Sequence, residues 1–159
     1  MIRFVTSPKM ISEILIRYLH FVSMFIVVAA VLGQHHLLKG SVTRATIGKA
    51  QRLDIAYAIA VVVVLATGLA QWFLVGKPAE FYSANPVFHT KLTLFLLVGV
   101  ISIYPSVFLG KNRKGDQSEI LDIPGKLIWS VRVELLLLFL MPLLATLMAK
   151  GIGIPVVSK

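Results

Sequence analysis

The chain has 159 residues, 57% of them hydrophobic and only 14% charged, with a mean hydropathy of +0.86. No single core of that size buries so much apolar surface away from water, so the composition excludes a soluble globular domain and indicates an integral membrane protein. The net charge of +9 comes from basic residues in the short loops of a hydrophobic chain, which membrane topology and anionic lipid head groups explain better than nucleic acid does; zero cysteine removes disulfides, thiolate metal sites and cysteine nucleophiles.

Residues 1–12 read as an N-terminal tail, with Met10 a second candidate start. Arg3 and Lys9 precede an apolar run with no clear Ala-x-Ala exit, which reads as an uncleaved first span rather than a signal peptide. That span covers about 14–38. Glu13, Arg17, His20 and Met24 recur at helical spacing and continue through Val28, Val31 and His35, a stripe expected to face the bundle interior. His20 lies roughly 10–14 Å into the span at 1.5 Å per residue. His35 and His36, at the far end beside Lys39, read as a solvated pair.

The second span covers about 55–75 and opens with Arg52-x-Asp54, and Asp54, Tyr57, Val61, Gly68 and Gln71 form its polar stripe. Ala56, Ala60, Ala66 and Gly68 suit close helix contact. Trp72-Phe73 and Phe81-Tyr82 read as an aromatic belt. The third span, about 87–109, starts at Asn85-Pro86, since proline is tolerated in a first helical turn. His89 is expected on its inner face with Thr93, Leu96 and Val100, at a depth similar to that of His20. Lys91, turned by about 200°, is expected at head-group level or on an adjacent helix. Pro124-Gly125 breaks the chain before the fourth span, about 127–149, which opens with Arg132-x-Glu134; Pro105 and Pro142 fall inside spans. Residues 13–150 thus form one transmembrane domain, an all-α antiparallel four-helix bundle, and residues 151–159 a C-terminal tail.

The loop from span one to two carries Lys39, Arg44, Lys49 and Arg52, and that from three to four Lys111, Arg113, Lys114 and Lys126. The opposite side has Arg3, Lys9, Lys77, Lys150 and Lys159. The bias toward the first set places those loops in the cytoplasm of a bacterial inner membrane and both termini outside. The repeated basic-x-acidic openings of spans two and four suggest a duplicated hairpin, His20 with Arg52-x-Asp54 and His89 with Arg132-x-Glu134. In each, the arginine is expected to reach the head groups while the carboxylate pairs with a cation across the bundle; this reading is preferred to a proton-relay role for the two Arg-x-acid pairs, so Glu13, Arg52, Asp54, Arg132 and Glu134 read as structural intramembrane charges.

The runs Glu13–Met24, Arg52-Leu-Asp54, Phe81–Lys91 and Arg132-x-Glu134…Pro142…Lys150-Gly151-Ile-Gly resemble the bacterial four-span membrane proteins of domain of unknown function 2214, over about Met10 to Gly153. More distantly, His20, the His89-Thr-Lys91-Leu-Thr opening and Arg132-x-Glu134 are similar to the haem-containing membrane protoporphyrinogen oxidase and to copper-resistance protein D domains. That resemblance implies haem b held by histidine; the absence of a Thr-Pro element in span two keeps the oxidase activity from being carried over. A b-type haem needs imidazole, an apolar slot and cations for its propionates. His20 and His89 are the candidate iron ligands, Phe21, Phe25, Phe88 and Phe95 candidate walls, and Arg17 and Lys91 candidate propionate partners.

Two functions follow. One is a small haem-b protein in membrane electron transfer or porphyrin-like redox chemistry, working with quinone or a redox partner protein. The other is a cofactor-free membrane protein, an accessory subunit of a larger complex or a small transporter. A homodimer fits either. No nucleotide loop, zinc motif or hydrolase elbow is present, and no residue is singled out as catalytic.

Overall fold

In the computed structural model, residues 7–153 are described. Four long helices alternate in direction: α1 (Pro8–Leu37), α2 (Arg44–Phe73), α4 (Pro86–Asn112) and α5 (Gly125–Ala149), each long and apolar enough to cross a bilayer. A short α3 (Ala79–Ser83) joins α2 to α4. Two three-residue strands, β1 (Ser41–Thr43) and β2 (Ile120–Asp122), join the helices at the other end of the bundle. The bundle therefore has a loop end, with both strands, and a terminal end, with α3, the start of α1 and the end of α5. Arg3, Lys159 and the outer parts of both expected tails lie outside the described residues.

Helix starts follow the local chemistry. Ser7 caps α1 by accepting from the Met10 amide, with Pro8 as the first helical residue, so residues 8–12, expected as tail, are helical. Thr43 caps α2 through the Thr46 amide, and Asn85 caps α4 through the Val87 amide at 2.9 Å. Helix α2 begins well before the expected start near 55. Hydropathy reports the lipid-facing part of a helix, whereas these first three turns or so bury Ile47 and Ala50 against the bundle while Lys49 and Arg52 face outward.

Consecutive helices pack as two antiparallel hairpins, α1 with α2 and α4 with α5, and the hairpins meet through α1 with α5 and α2 with α4. The core runs along the middle of all four helices, through Val27, Val31, Ala60, Val64, Val98 and Leu138. Gly33 of α1 closes the first hairpin tightly: a Cβ there would stand 2.6 Å from Leu53 Cδ1 of α2.

The two loops at the loop end form a feature that hydropathy did not indicate. Strands β1 and β2 pair antiparallel, Ser41 opposite Asp122, Val42 opposite Leu121 and Thr43 opposite Ile120. Arg44 ties them down. Its guanidinium donates to the carbonyls of Asn112 and Lys114, both at 2.7 Å, and pairs with Glu119 at 2.6 Å.

The burial pattern repeats between the two hairpins at constant sequence offsets. At one constant offset, α2 superposes in sequence on α5, so that Ile47 corresponds to Leu127 and Asp54 to Glu134, all buried. At another, α1 corresponds to α4, Val27 to Val98, Val31 to Ser102 and Leu38 to Leu109, again all buried. The duplication expected from the Arg-x-acid openings is thus visible in the burial phase. Its registration differs, because the equivalent of His20 is Lys91 and not His89.

Candidate functional site

The structure gathers polar side chains at two levels. Near the terminal end, His20 of α1, Gly68 of α2 and Lys91 of α4 line one cavity of about 90 Å³, walled by Met24, Trp72, Phe88, Phe95 and Met141, among others. Its lining is almost wholly apolar apart from the imidazole and the amine.

The hydrogen bonds of His20 favour one tautomer. Thr67, on α2, donates its hydroxyl proton to the carbonyls one turn back, Val63 at 2.6 Å and Val64 at 3.2 Å. With the hydroxyl proton placed on Val63, the Thr67 oxygen accepts across its 2.9 Å contact with His20 Nδ1, an arrangement that favours the Nδ1–H tautomer. In that tautomer Nε2 carries the free lone pair. A ligating histidine is typically held this way, by a partner on its other ring nitrogen.

The remaining expected ligands are elsewhere. His89 is exposed, and its Nε2 donates to the Ser83 carbonyl at 2.8 Å. The face it was expected to bury, with Thr93, Leu96 and Val100, is the outward face of α4; the buried one carries Val98, Ser102, Pro105 and Leu109. Lys91 lies on that inner phase, one and two turns from Phe95 and Val98, and so enters the cavity in the place assigned to His89. The cause is helical phase: the two-residue step from His89 to Lys91 rotates a side chain by about 200°, and the apolar pattern of α4 is too uniform to show which side is inside.

Arg17 is half-exposed and pairs with Glu13 at 2.7 Å, one turn away, while its guanidinium also approaches the Gly76 turn. It lies outside the cavity lining. The stripe expected on α1 is offset by about one residue, since the interior is carried by Ser23, Val27, Ala30, Val31 and Gln34. Phe21 and Phe25 point outward, whereas Phe88 and Phe95 line the cavity. His36 is exposed, and His35 leaves a buried Nδ1 without a partner.

The second polar level lies toward the loop end. Asp54 and Glu134 are buried, with Glu134 only 2% exposed, while Arg52 and Arg132 face outward as expected. The expected cation partners are not there. Asp54 Oδ1 accepts from Ser106 Oγ at 2.8 Å and Gln34 Nε2 at 3.3 Å, and Glu134 Oε1 has no partner. Among the described residues the ion pairs are Glu13–Arg17 and Arg44–Glu119, both away from this level. The cross-bundle cation was inferred from charge cost alone; the structure meets part of that cost with hydroxyl and amide donors on α1 and α4 instead. Sequence reasoning missed Gln34, Thr67, Ser102 and Ser106, although all are polar residues in the middle of apolar spans.

The chain matches, over residues 12–153, the family described as a predicted membrane protein, domain of unknown function 2214 (DUF2214). No curated protein and no solved structure matches it, and the more distant resemblance to the haem-containing oxidase and the copper-resistance proteins finds no support there. The chain belongs to the DUF2214 family of membrane proteins.

Proposed function

We propose that this protein binds haem b in the membrane, with His20 Nε2 as an axial ligand, and serves one-electron transfer with a quinone or a redox protein as partner. The observation that carries this reading is the His20–Thr67–Val63 hydrogen-bond chain, which leaves an unprotonated nitrogen facing an apolar cavity. A bare metal ion suits the site poorly, because no cluster of three or more His, Asp or Glu side chains occurs among the described residues. A metal that brings its own four equatorial nitrogens needs only one or two protein ligands.

The donor chemistry suits such a group, and the cavity of about 90 Å³ must widen toward the few hundred Å³ of a cofactor site to admit a porphyrin. His20 supplies imidazole. Lys91 supplies an amine in the same cavity, free to meet either iron or a propionate. Trp72, Phe88, Phe95 and Met141 supply polarizable apolar walls, and Gly68 leaves the imidazole flank uncrowded, since a Cβ there would stand 3.5 Å from His20 Cε1. When bound, haem b supplies a reversible one-electron couple. The protein's part is to hold the imidazole by Thr67, exclude water with the aromatic wall and keep a cation beside the ring. We further propose a bacterial inner-membrane location with the loop end in the cytoplasm, on the strength of the lysines and arginines gathered there.

Protein purified from cells supplied with haem should show a Soret band and a dithionite-sensitive α band. The H20A variant should insert and lose both, K91M should shift or weaken them, and H89A should leave them in place. A colourless wild-type preparation overturns the proposal and favours the cofactor-free alternative. An H20A variant with the wild-type spectrum overturns the ligand assignment.

A further inference from the structure

The second polar level has no place in haem binding. Between it and the His20 cavity lies a layer of buried Val27, Ala60, Val98 and Leu138. Asp54 stands about 15 Å along α2 from its loop-end start, at 1.5 Å per residue, and Glu134 occupies the equivalent position in α5. Both carboxyls turn into the bundle and are buried, Asp54 6% and Glu134 2% exposed.

Every element packed against the pair presents uncharged groups. Helix α1 contributes Gln34, α4 contributes Ser102 and Ser106, and α2 adds Tyr57. Tyr57 is 5% exposed, and its hydroxyl is buried without a hydrogen-bond partner. Glu134 Oε1 is likewise buried and unpartnered. Burying two carboxylates in one layer of the bundle without a cation is costly, and like charges there resist simultaneous ionisation. One positive charge shared between them resolves the repulsion and the orphaned oxygen together. A metal ion is disfavoured by the donor count, because two carboxyl groups do not make a cluster of three.

We propose that Asp54 and Glu134 together bind one exchangeable proton, making this buried layer of the bundle a proton site reached from the loop end. The Ser106 and Gln34 donors hold Asp54 Oδ1 as an acceptor. The shared proton then lies toward Glu134, whose Oε1 those donors do not reach. Tyr57, on the helical turn after Asp54, relays between the two. Gln51, one turn nearer the loop end, has a buried, unpartnered Oε1 facing Gly110 of α4, a polar step on the way out.

Infrared spectroscopy of the purified protein in lipid nanodiscs tests this without reference to haem. Wild type should show the carbonyl stretch of a buried protonated carboxyl, which moves to lower frequency in D2O. E134Q should abolish it. D54N should abolish or displace it, and Y57F should move it without removing it. If the variants fail to fold, wild type grown with 13C-labelled glutamate or aspartate still reads the site, because the band must shift with one label or the other. Absence of such a band in folded wild type overturns the proposal. So does a band that neither label nor substitution moves, or one that sodium or calcium eliminates at constant pH, which would make the occupant a metal cation.

Discussion

The Thr67→Val variant isolates the device on which the His20 assignment depends. Valine has nearly the shape of threonine, so the helix and the cavity wall stay in place while the oxygen that accepts from His20 Nδ1 becomes a methyl group. The Val63 carbonyl keeps the backbone amide of its own helix, and its loss of the threonine hydroxyl is minor. The imidazole is the group left short: an unmade bond of a buried donor costs about 1–3 kcal/mol. Because His20 is only half-buried, the lower half of that range applies, about 1–2 kcal/mol of stability in micelles. The functional effect is separate. Without Thr67 the ring is free to rotate or to carry its proton on Nε2, and loss of such a supporting partner typically lowers metal affinity 10- to 100-fold, equivalent to about 1.4–2.8 kcal/mol. Haem titration followed at the Soret band gives the affinity, and 15N chemical shifts of labelled histidine in ligand-free protein give the tautomer. Thr67→Ser should restore both. Wild-type affinity together with an unchanged Nδ1–H tautomer in the valine variant would refute the reasoning, since the hydrogen-bond chain would then be orienting nothing.

The remaining predictions concern packing and topology. Arg44→Ala removes two hydrogen bonds to carbonyls and one ion pair, all at the partly wetted loop end where water replaces some of what is lost; the expected destabilisation is about 1–3 kcal/mol by unfolding in micelles, and wild-type stability would show that the strand pair holds without it. At Gly33 the neighbouring atom is the far end of the Leu53 side chain, which can rotate. Alanine there should stay within about 1 kcal/mol of wild type, helped by its helix propensity, whereas Gly33→Leu forces α1 from α2 and should cost about 1–3 kcal/mol; a leucine variant as stable as wild type would mean the helices do not approach so closely. A reporter enzyme active only after export, fused after Lys159, should be active; activity instead from a cytoplasmic reporter at the same position would reverse the assigned sidedness of both polar levels.

How legible the molecule was differs sharply between levels of structure. Four uninterrupted apolar runs separated by basic loops dictate four helices, because in lipid every backbone amide and carbonyl must be satisfied within the segment. Asn85-Pro86 and Pro124-Gly125 mark two of the starts by their own backbone chemistry. The Arg-x-acid repeat likewise pointed to the duplicated hairpin, and Asp54 and Glu134 do turn inward. Rotation about each helix axis was not legible. In a soluble helix a polar face marks the outside, but lipid is as apolar as the core, so the pattern of α4 reads the same all round. That is why His89 was assigned the inner face that Lys91 occupies, and why the interior of α1 was set one residue out of phase.

The sequence by itself determined what a single segment decides against a bilayer: the class, the number of spans, and which few ionisable residues must be buried or held at an end. Tertiary structure decided what depends on two segments meeting. Thr67 becomes the partner of His20, and Gln34 and Ser106 become the partners of Asp54, only when α1, α2 and α4 are packed in one rotational phase. The β1–β2 pair forms only when the two hairpins stand side by side and bring their loops within hydrogen-bonding distance. The physical reason is the same in each case: a hydrogen bond needs its donor and acceptor within about 3 Å, and residues far apart in the chain reach that range through packing rather than through any local periodicity.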